Sequence, residues 1–348
     1  MADEKYVDWE LASRTARRLL PDGPKVSLGE AHATVEDLRD AARRAHDPVA
    51  TTAQLDTSGR PDSPVHVVDR AHWIDVNVAS MSALLDPVVD KMTAKRKAGA
   101  AARAVSAKVS GAEAGAVMGW VSTKVLGQYD LAPDGQPSLL LVAPNIVAAE
   151  RQLKVDPADF RLWVCLHEET HRVQFTAVPW LREHLVQRVR TLMVDLVPEP
   201  DELPQRLQEI LGRLPEALRE GGTGLADLVT TPEQREQLAN VTAVMSLLEG
   251  HADVVMDDVG PQIVPTVEEI RRRFDKRRQG AGAVDRLLRR LLGMEAKMRQ
   301  YRDGAKFCRT VQDRVGVEGF NAVWTSPQTL PTAREIEAPL AWIERVHG

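Results

Sequence analysis

A mainly helical fold, α+β through one small hairpin, is what this sequence predicts. Three observations carry that prediction. Apolar residues recur at helical spacing over most of the chain. Two segments open with a cap residue followed three positions later by Glu or Gln. One stretch, roughly residues 123 to 143, is the only one that reads as paired strands. The 348 residues are enough for a large buried core. The expectation is one domain, with a helical N-terminal part over about 1–120 and a core carrying the chemistry over about 121–348.

Taken in order, "DWELASRTARRLL" is helical and stops at Pro21. "SLGEAHATVEDLRDAARRAHD" starts at Ser27 with Glu30 completing a capping box. Residues 51 to 65 are rich in Gly, Pro, Ser and Thr and read as a loop. "AHWIDVNVASMSALLDPVVDKM" is helical again. Residues 94 to 120 are rich in alanine, with Gly111, Gly115 and Gly119 four apart. That spacing suits close helix packing, and the interspersed Lys and Arg exclude a membrane span. "TKVLGQYDL" and "PSLLLVAPNI" flank the turn "APDGQ" and form the hairpin. Asp156 then caps a helix with Pro157 at its first position, running through "ADFRLWVCLHEETHRVQFTAV" toward Pro179. Residues 181 to 195 are helical, and 198 to 230, broken by Pro and Gly, read as a mobile insertion. Thr231, Pro232 and Gln234 open a long helix that ends at Gly260 and Pro261. Beyond it the chain is helical, with a basic stretch over 271 to 290.

Composition narrows function. Hydrophobic residues make up 43% and charged residues 27%, the balance of a globular protein, and the formal net charge of −5 gives no general attraction to nucleic acid. No apolar run is long enough to span a membrane. The N-terminus lacks the pattern of a secretory leader, and two cysteines cannot build a disulfide framework, so a cytoplasmic location is expected. The expected substrate is a peptide or small amide, with no nucleic-acid or membrane partner. Nothing in the sequence speaks to oligomeric state.

The chemistry lies in "HEETH". His167 and His171 are four apart on a helix, so both rings project from one face and can meet one zinc ion. Glu168 sits beside them and can act as general base toward water. An ordinary helix with two histidines on one side is the competing reading. Apolar neighbours Leu162, Val164, Leu166 and Val173 weigh against it, because unpartnered buried histidines are costly. A catalytic zinc needs a third ligand. Gln174 and Ala177 stand where a metzincin needs Gly and His, which excludes that class. Downstream, "SLLEGHADVVMD" offers Glu249 as a ligand and, one turn on, Asp253 to accept the other ring N–H of a ligating histidine. His251 points to nearly the opposite face. It is an alternative ligand or an oxyanion stabiliser if Gly250 loosens the helix, and otherwise a core histidine. His184 is a weaker candidate for lining the cleft.

"HEETH" with "EGHAD" resembles the gluzincin branch of zincin-like metallopeptidases, in which H-E-x-x-H and a downstream E-x-x-x-D supply the ligands. "LGQYDL", "LLLVAPNI", "MRQYRDGAKFC" and the segments around both motifs are similar to a bacterial family of zinc hydrolases of unknown substrate. Its members often carry a label of association with coenzyme F-420 biosynthesis, a label that reflects genomic co-occurrence. The resemblance covers nearly the whole chain. It implies a zincin-like helical fold, one Zn2+ ion and hydrolase chemistry. By position it also implies His167, His171 and Glu249 as metal ligands, Glu168 as base and Asp253 behind the ligands. The separation from Glu168 to Glu249 is longer than the shortest gluzincin spacing. Tyr301 and His251 are candidates to stabilise an oxyanion, with Arg299 and Arg302 flanking the tyrosine to bind a carboxylate or phosphate. The hairpin is placed to offer an edge strand to a peptide. The alternative function is a non-catalytic zinc-bearing helical protein or binding module. A di-iron carboxylate bundle is disfavoured because no second E-x-x-H completes its ligand set.

Overall fold

The computed structural model describes residues 7–93, 100–196, 231–279 and 294–348. In chain order the elements are α1 (Trp9–Arg18), α2 (Leu28–Ala53), β1 (Val65–Val68), α3 (Arg70–Thr93), α4 (Ala100–Val121), β2 (Gly127–Asp130) and β3 (Ser138–Val142). They continue with α5 (Ala143–Leu153), α6 (Pro157–Ala177), α7 (Pro179–Leu196), α8 (Pro232–Ile263), α9 (Val267–Gln279), α10 (Met294–Phe320), α11 (Ala333–Glu337) and α12 (Pro339–His347). The fold is mainly α with one small sheet, as the sequence predicts.

The caps form as the sequence predicts. Ser27 and Glu30 exchange side-chain-to-backbone bonds at the start of α2, as do Thr231 and Gln234 at the start of α8. Asp156 accepts from the Asp159 N–H at the start of α6. The close packing expected of the glycines in α4 is present against α1. A Cβ on Gly115 would stand 2.5 Å from the Ala12 carbonyl oxygen, and one on Gly111 would overlap that of Asp8.

The hairpin pairs antiparallel, Gly127 opposite Leu141 and Asp130 opposite Ser138. A third strand departs from the expected pattern. β1 pairs parallel with β3, which makes β3 the centre of a β1-β3-β2 sheet, and it comes from the part of the chain read as helical. The loop before it is correspondingly shorter. α2 continues past Pro48 to Ala53, because Val49 and Ala53 are fully buried there. β3 also ends sooner than "PSLLLVAPNI" suggests, since α5 begins at Ala143 with Pro144 in its first turn. α8 runs through Gly260 and Pro261 to Ile263. The reading of 198–230 as an insertion lies outside the described residues.

All five residues of β3 are buried, and its face toward α6 joins a core built from Phe160, Leu166, Val173, Leu247 and Phe307. α8 and α10 meet backbone to backbone. A Cβ on Gly250 would overlap the main chain at Gly304, and one on Gly304 would overlap the Ser246 carbonyl. This contact fixes the height of Glu249, the neighbour of Gly250. No helix among the described residues is long and apolar enough to cross a membrane.

Candidate metal centre

α6 is mostly buried from Phe160 to Gln174, so the polar side chains there need partners, and the helix sends them in two directions. On one face His167 and His171 meet edge to face one turn apart, ring centroids 5.0 Å apart and nearly perpendicular. α8 crosses this face and presents Glu249. Its Oε2 lies 3.3 Å from His167 Nε2 and 3.7 Å from His171 Nε2, and the three donor atoms all lie within 4.8 Å of one another. Asp253, one turn along α8, places Oδ1 3.7 Å from His167 Nδ1. His171 Nδ1 is 3.0 Å from Gln174 Oε1.

Glu168 is buried against β2. A Cβ on Gly127 would come within 2.6 Å of its Cγ and Cδ, so the strand offers bare main chain to the carboxylate-bearing side chain. The opposite face of α6 holds Glu169, fully buried. It accepts a bidentate bond from Arg172 and another, at 2.6 Å, from His46 Nδ1 of α2. Arg172 continues to Asp62 and to the Ser63 carbonyl in the loop before β1.

The charges on the cavity face shift one another. Burial alone would lower the His167 pKa, but the Glu249 carboxylate at hydrogen-bond distance, with Glu168 and Asp253 behind it, pushes it up to about 9. His171 moves the same way, mainly because Glu249 outweighs its burial. Burial would raise Glu249, yet the two imidazoles hold it well below the usual carboxylate range. Burial pushes Glu168 up, and the same imidazoles offset part of the shift.

These residues line a cavity of about 1320 Å3. One wall is the run Leu126–Leu131, which contains β2; others come from α3, α6, α7 and α8, and Phe274 and Arg302 also border it. β2 pairs only with β3 among the described residues.

The donor set fits a metal ion. In a tetrahedral zinc site with bonds of about 2.0–2.2 Å, neighbouring ligand atoms stand about 3.3–3.6 Å apart. The 3.3 and 3.7 Å separations from Glu249 Oε2 to the imidazoles match that edge length. Two neutral imidazoles and one carboxylate are also the donor chemistry of a three-ligand catalytic zinc.

The zincin-like metallopeptidase family matches residues 7–343. The chain belongs to that family. A solved structure is also similar over nearly the whole chain. The crystal structure of a protein from Chloroflexus aurantiacus, provisionally described as a hydrolase with a novel fold, superposes on this zincin-like chain with a TM-score of 0.68. The two are 28% identical, over 98% of this chain and 99% of the other. No curated protein matches the chain. Membership of the zincin-like family supports a metallohydrolase that carries a metal.

The structure brings together His167, Glu168, His171, Glu249 and Asp253. It does not bring His251 to the cavity, which corrects its reading as a ligand or oxyanion donor. α8 stays helical through Gly250, so His251 turns into the core, with its ring centroid 5.2 Å from that of Phe320 and 5.5 Å from that of Trp324. Burial there lowers its pKa to about 3, and the neighbouring His171 adds to the shift. His184 packs edge-on to Trp180 and is not among the residues lining the cavity. Tyr301 and Arg299 lie on α10, and their side chains lie outside the described residues. Sequence reasoning gives no site role to Gln174 or Gly127. Each nevertheless carries a signal: a glutamine three residues after the second histidine on a buried helix, and a glycine inside a strand.

Proposed function

We propose that this zincin-like protein is a zinc-dependent hydrolase of peptide bonds, with His167, His171 and Glu249 holding one zinc ion and Glu168 as general base. The observation that carries this reading is the convergence of both imidazole Nε2 atoms on one Glu249 oxygen, with Glu168 beside them in a large cavity. Zinc bound there would supply a Lewis acid and a water of lowered pKa. The chain's own residues do the rest. The Glu168 carboxylate takes a proton from the attacking water and returns it to the leaving amine nitrogen. Burial raises its pKa, which makes the carboxylate a better proton acceptor. Asp253 places its Oδ1 3.7 Å from His167 Nδ1, so its charge favours a proton on that nitrogen and leaves Nε2 to ligate.

A peptide is the better fit than a small amide. The cavity exceeds the roughly 300–1,000 Å3 of typical small-molecule sites. Its β2 wall can add an extended chain by main-chain hydrogen bonds, with Glu168 against the same strand at Gly127.

Metal analysis tests the site. The parent should carry one zinc per chain, and His167→Ala and His171→Ala should each lose it. Variants that hold zinc as well as the parent would show that the site is wrong.

Proton release gives a second check. Ligating histidines must be neutral, and in the chelator-treated chain His167 holds its proton up to about pH 9. Zinc uptake at pH 7 should therefore release about one proton or more, and affinity should climb with pH until about 9. Calorimetry in buffers of different ionisation enthalpy reads the number directly. Uptake without proton release would contradict the charge arrangement described above.

A further inference from the structure

The carboxamide of Gln174 is fully buried, and each of its atoms can play one role. Nε2 lies 3.1 Å from the Leu248 carbonyl oxygen and 2.9 Å from His251 Nδ1, while Oε1 lies 3.0 Å from His171 Nδ1. A carbonyl oxygen only accepts, so the atom facing Leu248 must be the NH2 group, and this fixes the orientation of the amide. The NH2 group only donates, so His251 Nδ1 bears a lone pair and the proton of that ring sits on Nε2. Oε1 only accepts, so His171 Nδ1 bears a proton. When His171 is neutral its lone pair is therefore on Nε2, the nitrogen 3.7 Å from Glu249.

We propose that Gln174 is a positioning residue that locks His171 in the tautomer presenting Nε2 as a ligand and ties that ring to the turn of α8 carrying Glu249. The inference rests on the metal-site reading above. Leu248 directly precedes Glu249, so one amide bridges both ligand-bearing helices at the level of the site. His251 is the far end of this chain of bonds. Enclosed by Phe320 and Trp324, it holds the amide from behind. The choice of an amide has a physical reason. Glu168, Glu249 and Asp253 already place three carboxylates around the histidines, and a neutral acceptor orients His171 without adding a fourth.

The test uses the full chain labelled with 15N-histidine and loaded with zinc. Two-bond proton–nitrogen correlations should show His171 with a protonated Nδ1 and His251 with a bare Nδ1 and a protonated Nε2. Gln174→Met should weaken zinc binding by roughly 10–100-fold in chelator competition. The measurement on the parent needs no variant and stands even if the substitution impairs folding. A parent that takes up no zinc overturns the metal-site reading and this inference with it. A zinc-binding parent with either histidine protonated on the other nitrogen, or a folded Q174M that binds as tightly, overturns this inference alone.

Discussion

Glu168→Gln should leave the zinc content of the protein unchanged and lower turnover of a cleaved peptide by about 10²–10⁴-fold, the usual contribution of a positioned general base. The substitution is nearly isosteric. The amide can lie against Gly127 as the carboxylate does, so packing on β2 survives. Glu168 is not among the three converging donors, so the ligand set survives too. What is lost is the ability to take up a proton and hand it on. Zinc analysis and peptide-cleavage rates, measured on the same preparations, separate the two effects. A variant that cleaves at the parental rate would sink the hydrolytic role of Glu168. In a metal-bearing binding module the same change would leave every function intact.

Gly304→Ala should destabilise the protein by about 1–3 kcal/mol or more, the range for overpacking a well-filled interior. The added methyl meets the Ser246 carbonyl, and neither atom belongs to a side chain that can swing aside. α8 and α10 must separate to make room, and Glu249 moves with α8. Zinc affinity should therefore fall together with stability, even though residue 304 touches no ligand. Gly135→Ala is the control. Its Cβ would meet only the Ala132 methyl at 3.5 Å, an ordinary contact, and should be close to neutral. Equal denaturation midpoints for the two variants would refute the tight helix contact.

The parts of the site that follow helical periodicity are legible in the sequence alone. His167 and His171 share a face because they are four apart, and Glu249 and Asp253 share one for the same reason. Helix periodicity also explains why His251, two residues from Glu249, turns away into the core. Capping residues mark the starts of α2, α6 and α8 because their signals are local. Features that depend on distant partners are not legible in this way. β1 is four residues long and becomes a strand only by pairing with β3, more than seventy positions later. α2 runs past Pro48 because burial of Val49 and Ala53 outweighs a local stop signal. The bonds from Gln174 to Leu248 and His251 span 74 and 77 residues, so no window on the sequence can pair them.

The second glutamate of HEETH carries a consequence for protein engineering. Glu169 takes no part in the chemistry proposed for its neighbours, yet it is the most deeply enclosed charge of the five-residue motif. It depends on Arg172 and His46, and through them on a loop outside the helix. Stranding one member of such a buried ion pair costs about 3–5 kcal/mol. The motif is therefore not a portable cassette. A designer who transplanted HEETH onto a foreign helix to build a new hydrolase would import an orphaned anion along with the ligands. Rewriting position 169 as an apolar residue, or carrying Arg172 and His46 across as well, would be a condition of success.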